Sequence, residues 1–388
     1  MLEVNSIIFK IIRIHVNTKG TDLKICIDIQ AAVAQGAGVG RYVRLLAEHL
    51  NKSAGADDVT FFYFDFMRRG LASPLANTRA VHWCPGRIAQ SCWKRFDWPP
   101  FDWFAGQADL YHFPNFIIPP FGRGKCVVTI HDASFLRYPE FTEGGNLAYL
   151  RAAIKNTVRR ADAIITVSHF SAAELAGFFP EARKKIHAIY PGVIEHIAPH
   201  DNPETLRAKG LSKPYILTVG TLEPRKNMEF LIQVFEAMKE FQGELVIVGR
   251  RGWKYSSILE RIASSARASD IRLLDDVNDG ELAAIYAGAK LFIFPSFYEG
   301  FGFPPLEALA CGTPVISSAG GSLKEVLDEA ALLIEEYDAV RWARAAELLI
   351  NDKQVRPLFI EKGRRQVAKY TWAETAKQTM ALYRSLIG

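Results

Sequence analysis

Leu291-Phe292-Ile293-Phe294-Pro295 runs, three residues later, into Glu299-Gly300-Phe301-Gly302-Phe303-Pro304-Pro305-Leu306-Glu307-Ala308-Leu309-Ala310-Cys311-Gly312. The first run is apolar without alternation, the mark of a strand buried on both faces. A glycine loop follows, and Pro304 and Pro305 suit a helix's first turn, where no N–H is needed. Gly302 and Phe303 then aim backbone N–H groups at an anion. Glu307 is expected in the first helical turn and Glu299 in the loop before it. A carboxylate accepts two hydrogen bonds from a vicinal diol, such as a ribose or hexose. Alone, Glu307 would simply complement the helix dipole. Two carboxylates flanking one glycine loop point to a ligand.

Outward from this unit, the whole chain alternates strand-like and helix-like segments, which argues for parallel sheets covered by helices. In the second half Tyr215–Val219, Glu244–Val248, Ile271–Leu274 and Pro314–Ser317 read as strands. Helices are expected over Tyr337–Ile350, Gln354–Lys369 and Trp372–Leu386. In the first half Lys24–Ile29, Val59–Phe64, Asp109–His112, Cys126–Ile130 and Ala163–Val167 are strand candidates, with a helix from Val39 to Leu50. The Pro/Gly-rich stretch Pro191–Pro203 reads as a linker. The expected fold class is α/β: two doubly wound Rossmann-like domains facing a central cleft, over 22–195 and 196–370. Residues 371–388 form a last helix, read as crossing back onto the first domain. Such sheets bind ligands beyond the carboxyl ends of their strands.

Three further motifs sit at such ends. Gln35-Gly36-Ala37-Gly38-Val39-Gly40-Arg41-Tyr42 joins the opening strand to a helix, as a phosphate cradle or a tight turn. A dinucleotide reading, with Asp65 on a ribose, lacks the G-x-G-x-x-G spacing. Thr129-Ile130-His131-Asp132 ends another strand. Gly220-Thr221-Leu222-Glu223-Pro224-Arg225-Lys226-Asn227 opens the second half, and its adjacent cations suit a diphosphate leaving group.

The totals agree with a globular enzyme of two cores: 388 residues, 49% apolar, 23% charged. A net charge of +5 is too mild to argue for nucleic acid but suits anionic partners. Five cysteines in no zinc spacing read as reduced thiols in a cytoplasmic protein. The apolar stretch Ile7–Ile14 is broken by Lys10 and Arg13, too short for a membrane span or signal peptide. Residues 1–21 are expected to be a lead-in to the first core strand.

The segment Glu299–Gly312 resembles the E-x₇-E signature of retaining glycosyltransferases of glycosyltransferase family 4, which have the GT-B fold. The resemblance extends from about Lys24 onward, with the four motifs in the family's order. It implies that Glu307 binds the ribose hydroxyls and Glu299 the donor sugar. Arg225 and Lys226 would neutralise the diphosphate, and amides at Gly38, Gly302 and Phe303 would approach the phosphates and sugar. His131 would lie beside the donor sugar, and the base would meet the turn around Val277. Many relatives carry an arginine directly after the glycine of the second-half turn; this chain has Thr221 there. GT-B relatives act without a metal, so no cofactor is expected beyond the donor, a nucleotide-diphosphate sugar.

The wording of the motifs is similar to bacterial mannosyltransferases of surface-polysaccharide assembly. The implied donor is GDP-mannose, with a UDP-hexose as the alternative. The acceptor would be a glycan or polyprenyl-linked glycan. It would meet the first domain, where an irregular insertion carries Trp93, Phe96, Trp98, Phe101, Trp103 and Phe104. Those rings suit a sugar or lipid, or simply pack on the core. A basic helix face with Arg151, Lys155, Arg159 and Arg160 is either a solvated surface or a peripheral contact with the inner membrane face. Rival readings are a nucleotide-sugar epimerase, a nicotinamide-dependent oxidoreductase and a catalytically silent sugar-binding protein.

Overall fold

The computed structural model describes residues 23–34, 38–71, 75–193 and 202–388. The lead-in, residues 35–37 of the glycine loop and residues 194–201 of the linker, with the expected boundary at 195, lie outside the described residues.

Thirteen strands form two sheets among the described residues. The first sheet holds β1 (Lys24–Asp28), β2 (Asp58–Phe64), β3 (Thr78–Val81), β4 (Leu110–Phe113), β5 (Lys125–Thr129), β6 (Ala163–Thr166) and β7 (Ile186–Ala188). The second holds β8 (Tyr215–Val219), β9 (Glu244–Val248), β10 (Ile271–Leu274), β11 (Leu291–Phe294), β12 (Val315–Ser317) and β13 (Leu332–Leu333). Their spatial orders are 3-2-1-4-5-6-7 and 10-9-8-11-12-13, and every strand pair is parallel. The order reverses between β1 and β4 and again between β8 and β11. Each reversal opens a crevice past the strand ends. This is the GT-B architecture.

Strand β11 is buried on both faces because it carries apolar residues at every position, Leu291-Phe292-Ile293-Phe294, and the other central strands come close to this. The helix Val39–Ser53 lays Tyr42, Val43, Leu46 and Leu50 against the first sheet at helical spacing. Each fully buried leucine there contributes about 1.5–3 kcal/mol of hydrophobic stabilisation.

Three readings are corrected. The edge strands β3, β7 and β13 were not anticipated. Pro203 is not linker but the first residue of a helix, Pro203–Ala208, capped by the Asn202 side chain. The aromatic insertion is helical rather than irregular, over Gly86–Phe96 and Asp102–Ala105. The Asp65 carboxylate accepts from the amides of Arg69 and Gly70.

The last helix, Trp372–Ile387, lies on the first half. Tyr383 Oη meets His112 Nδ1 at 2.5 Å, and Arg384 pairs with Asp57 at 2.8 Å. Where the chain crosses back, Val193 N donates to Tyr370 O at 3.1 Å.

Candidate active site

The second crevice gathers the charged groups. The turn after β8 carries Glu223, Arg225 and Lys226; the loop after β11 carries Ser296, Tyr298 and Glu299. Lys226 Nζ and Ser296 Oγ each donate to Glu299 Oε1 at 2.6 Å. Arg225 Nη1 donates to Glu299 Oε2 at 2.9 Å and to Tyr298 O at 2.7 Å, and its Nη2 to Glu223 Oε1 at 2.5 Å. Burial opposes charge on Glu299, yet Arg225 and Lys226 outweigh it and hold the carboxyl down at about 2. Burial lowers Lys226 despite Glu299. Burial also raises Glu223, against the pull of Arg225 and Lys226. The result is a compact cluster of fixed charge with nearly no solvent.

The helix Phe303–Ala310 begins beside it. Gly302 takes φ 101° at its N-cap, a conformation that would strain a side chain. Phe303 is the first helical residue, its ring edge-on to Phe301 at 5.1 Å. Glu307 therefore lies one turn further in than expected. Its carboxylate is 1% exposed and accepts from Tyr286 Oη at 2.9 Å and from Arg41 Nη1 at 2.6 Å. Val277 is half-buried against the core, just before the helix Asp279–Gly288, whose start is closed by an Asn278–Glu281 capping box.

The first half forms the opposite wall. Gly38 stands exposed at the N-cap of the helix Val39–Ser53. His131 follows β5; its Nε2 lies 3.0 Å from Pro114 O, and its ring meets Tyr42 edge-on at 4.8 Å. Burial lowers its pKa, so the imidazole is neutral at pH 7. The two walls touch at Gly300, where a Cβ would collide with the carbonyl of His131. Ser168 Oγ donates to Gly300 O at 2.7 Å. His131 thus adjoins the loop that holds Glu299. A cleft of about 420 Å³, lined by Tyr138, Phe141, Phe297, Gly320 and Tyr337 among others, opens beside that loop.

Residues 203–366 match the family described as Glycosyl transferases group 1, and residues 36–196 match Glycosyltransferase Family 4. The O-antigen chain mannosyltransferase B of Escherichia coli is 32% identical over 286 residues, 71% of this chain and 74% of that protein. The chain belongs to glycosyltransferase family 4. This glycosyltransferase is also 32% identical, over 227 residues, to the serotype-specific mannosyltransferase WbdA of Escherichia coli, covering 56% of this chain but only 28% of WbdA. Among solved structures, the sucrose-phosphate synthase of Thermosynechococcus elongatus superposes with a TM-score of 0.74 at 22% identity, over 93% of this chain and 98% of that one. Among the described residues, no helix of the glycosyltransferase is long and apolar enough to cross a membrane.

The structure brings Arg225, Lys226, Glu299, Gly302 and Phe303 to one crevice, with His131 across from them. Sequence reading missed Glu223 and Tyr286, which hold Arg225 and Glu307. It also missed that Arg41 spans the cleft. A signal was present: a cation in a helix's first turn opposes the dipole and needs an acidic partner elsewhere.

Proposed function

We propose that this glycosyltransferase takes mannose from GDP-mannose and passes it, with retention and without a metal ion or other cofactor, to a glycan or polyprenyl-linked glycan of a surface polysaccharide. The observation that carries this reading is Glu299 bracketed by Arg225 and Lys226 at the second crevice, against the His131 turn. Departure of a nucleoside diphosphate leaves negative charge, which prearranged cations stabilise. Glu299 pairs with both cations. With donor bound, diphosphate oxygens take its place on Arg225 and Lys226, and Glu299 accepts from the sugar hydroxyls. Gly38, Gly302 and Phe303 contribute amides, Glu307 holds the ribose, and Val277 borders the base. His131, neutral, lies by the reacting carbon. The names of the Escherichia coli relatives support mannose.

The acceptor's lipid end is supported by the first half's surface. Trp83, Ile88, Trp98 and Trp103 help to line an apolar groove of about 690 Å³. Trp83 is 72% exposed and Trp103 62%. Arg87, Lys94 and Arg95 are exposed on the adjacent helix. Aromatic rings beside cations suit the interface of an anionic bilayer.

The test is calorimetric titration with GDP, UDP and ADP in chelator, on the wild type and Glu307→Ala. GDP binding tightest and weakened by the substitution is the expected result. UDP binding tightest would move the donor to a UDP-sugar. Binding of none, or only with added metal, would overturn the reading.

A further inference from the structure

Arg41 belongs to the first half, in the first turn of the helix Val39–Ser53, yet its partners belong to the second. Its Nη1 donates to Glu307 Oε1 at 2.6 Å and its Nη2 to Asp279 Oδ1 at 2.7 Å. Arg44, one turn along, donates to the other Asp279 oxygen at 3.0 Å. The Arg41 and Glu307 side chains are 12% and 2% exposed, so this pair is shielded from solvent screening. Arg41 Nε is buried with no hydrogen-bond partner among the described residues. A buried unmade hydrogen bond is destabilising, so this contact is not the best resting place for the guanidinium.

Two adjacent hydroxyls of a ribose and two N–H groups of a guanidinium present a carboxylate with the same kind of donor pair. We propose that Arg41 is an internal substitute for the donor ribose. It holds Glu307 until an incoming diol displaces it. The inference rests on the reading of Glu307 as the ribose carboxylate. The Arg41 bridge joins the two walls at the buried carboxylate. When a nucleotide enters, the diol takes over Glu307 and Arg41 retains Asp279. Arg41 is thus a positioning residue: it orients Glu307, and it excludes ligands that lack a diol able to compete.

The probes are guanosine and 2′,3′-dideoxyguanosine, which lack the diphosphate and differ in the diol, titrated by NMR into the full chain. Arg41→Met removes the competitor, so guanosine binds about tenfold tighter or more, the scale of one charged hydrogen bond. Dideoxyguanosine gains nothing. Arg41→Lys, which keeps a cation with a single point of contact, gives a smaller gain in the same direction and serves if the methionine variant does not fold. Arg44→Gln, which touches only Asp279, leaves guanosine binding unchanged. Unchanged or weaker guanosine binding in both Arg41 variants overturns the inference. So does an equal gain for the dideoxy probe, or no nucleoside binding by any variant. Glu307→Ala separates the two readings. If it erases the preference for guanosine over dideoxyguanosine while Arg41→Met gains nothing, only the role of Arg41 falls. If the preference survives Glu307→Ala, the ribose assignment itself falls.

Discussion

The two walls of the cleft are built on the same strand order but with opposite electrostatics. The second-half wall holds Glu223, Arg225, Lys226 and Glu299, all largely buried, each paired with another. The first-half wall presents the backbone of Gly38, the neutral ring of His131 and, at its edge, Arg41 and Arg44 reaching to acids of the other half. A charged site in low dielectric keeps its geometry without solvent reorganisation, which suits a fixed leaving group. A wall with few buried charges and exposed rings beyond it suits a varied partner. The contrast teaches that one topology can be tuned into a rigid electrostatic half and an adaptable half through its loops alone.

The largest effect should come from breaking the charged wall. Glu299→Ala leaves Lys226 without its carboxylate in a buried site. It should lower unfolding stability by roughly 3–5 kcal/mol in urea denaturation. Adding Lys226→Met should return much of that loss. A single variant as stable as the wild type would show that the wall is not prearranged.

The two halves should also fail at different acidities. His112 in the first sheet is fully buried, which pushes its pKa down to about 3. Below about pH 6.5 the unfolded chain gains a proton that the folded chain refuses. Stability therefore rises with pH between 3 and 6.5, by about 1.4 kcal/mol per unit from this residue. Glu299, held at about 2, works in the same sense over a more acidic window. Its contribution is full above the unfolded carboxyl pKa and is lost only as pH falls from about 4.3 toward 2. Denaturation curves from pH 3 to 7 should flatten in His112→Gln, where that burial no longer resists protonation. An unchanged slope there would refute the assignment.

The smallest effect on folding should come from the aromatic face. Trp98→Ser with Trp103→Ser should leave stability within about 0.5 kcal/mol per site and GDP binding intact. Co-sedimentation with phosphatidylglycerol-containing vesicles should fall. Undiminished sedimentation would remove the bilayer from the proposal.

The second half was largely legible because β8, β9 and β11 are near-continuous apolar runs closed by turn residues. The edges were not. Thr78-Arg79-Ala80-Val81 pairs on one side only and is mostly exposed, so it carries no apolar signature. Leu332-Leu333 is too short to show any period. Glu299, Arg225 and Lys226 could be named from sequence because each sits at a strand end. The contact of Arg41 with Glu307 could not, because it spans 266 positions and depends on how the halves meet. The helical aromatic segment was hidden by Pro99, Pro100 and the ring density around them.

The final helix has a mechanical consequence. Because Trp372–Ile387 lies on the first half, the chain passes between the halves twice, once after Val193 and once after Tyr370, and the Val193–Tyr370 hydrogen bond holds those passages side by side. A single tether would let the halves swivel in any direction. Two connections restrict that swivel, and the hydrogen bond between Val193 and Tyr370 adds to the restraint.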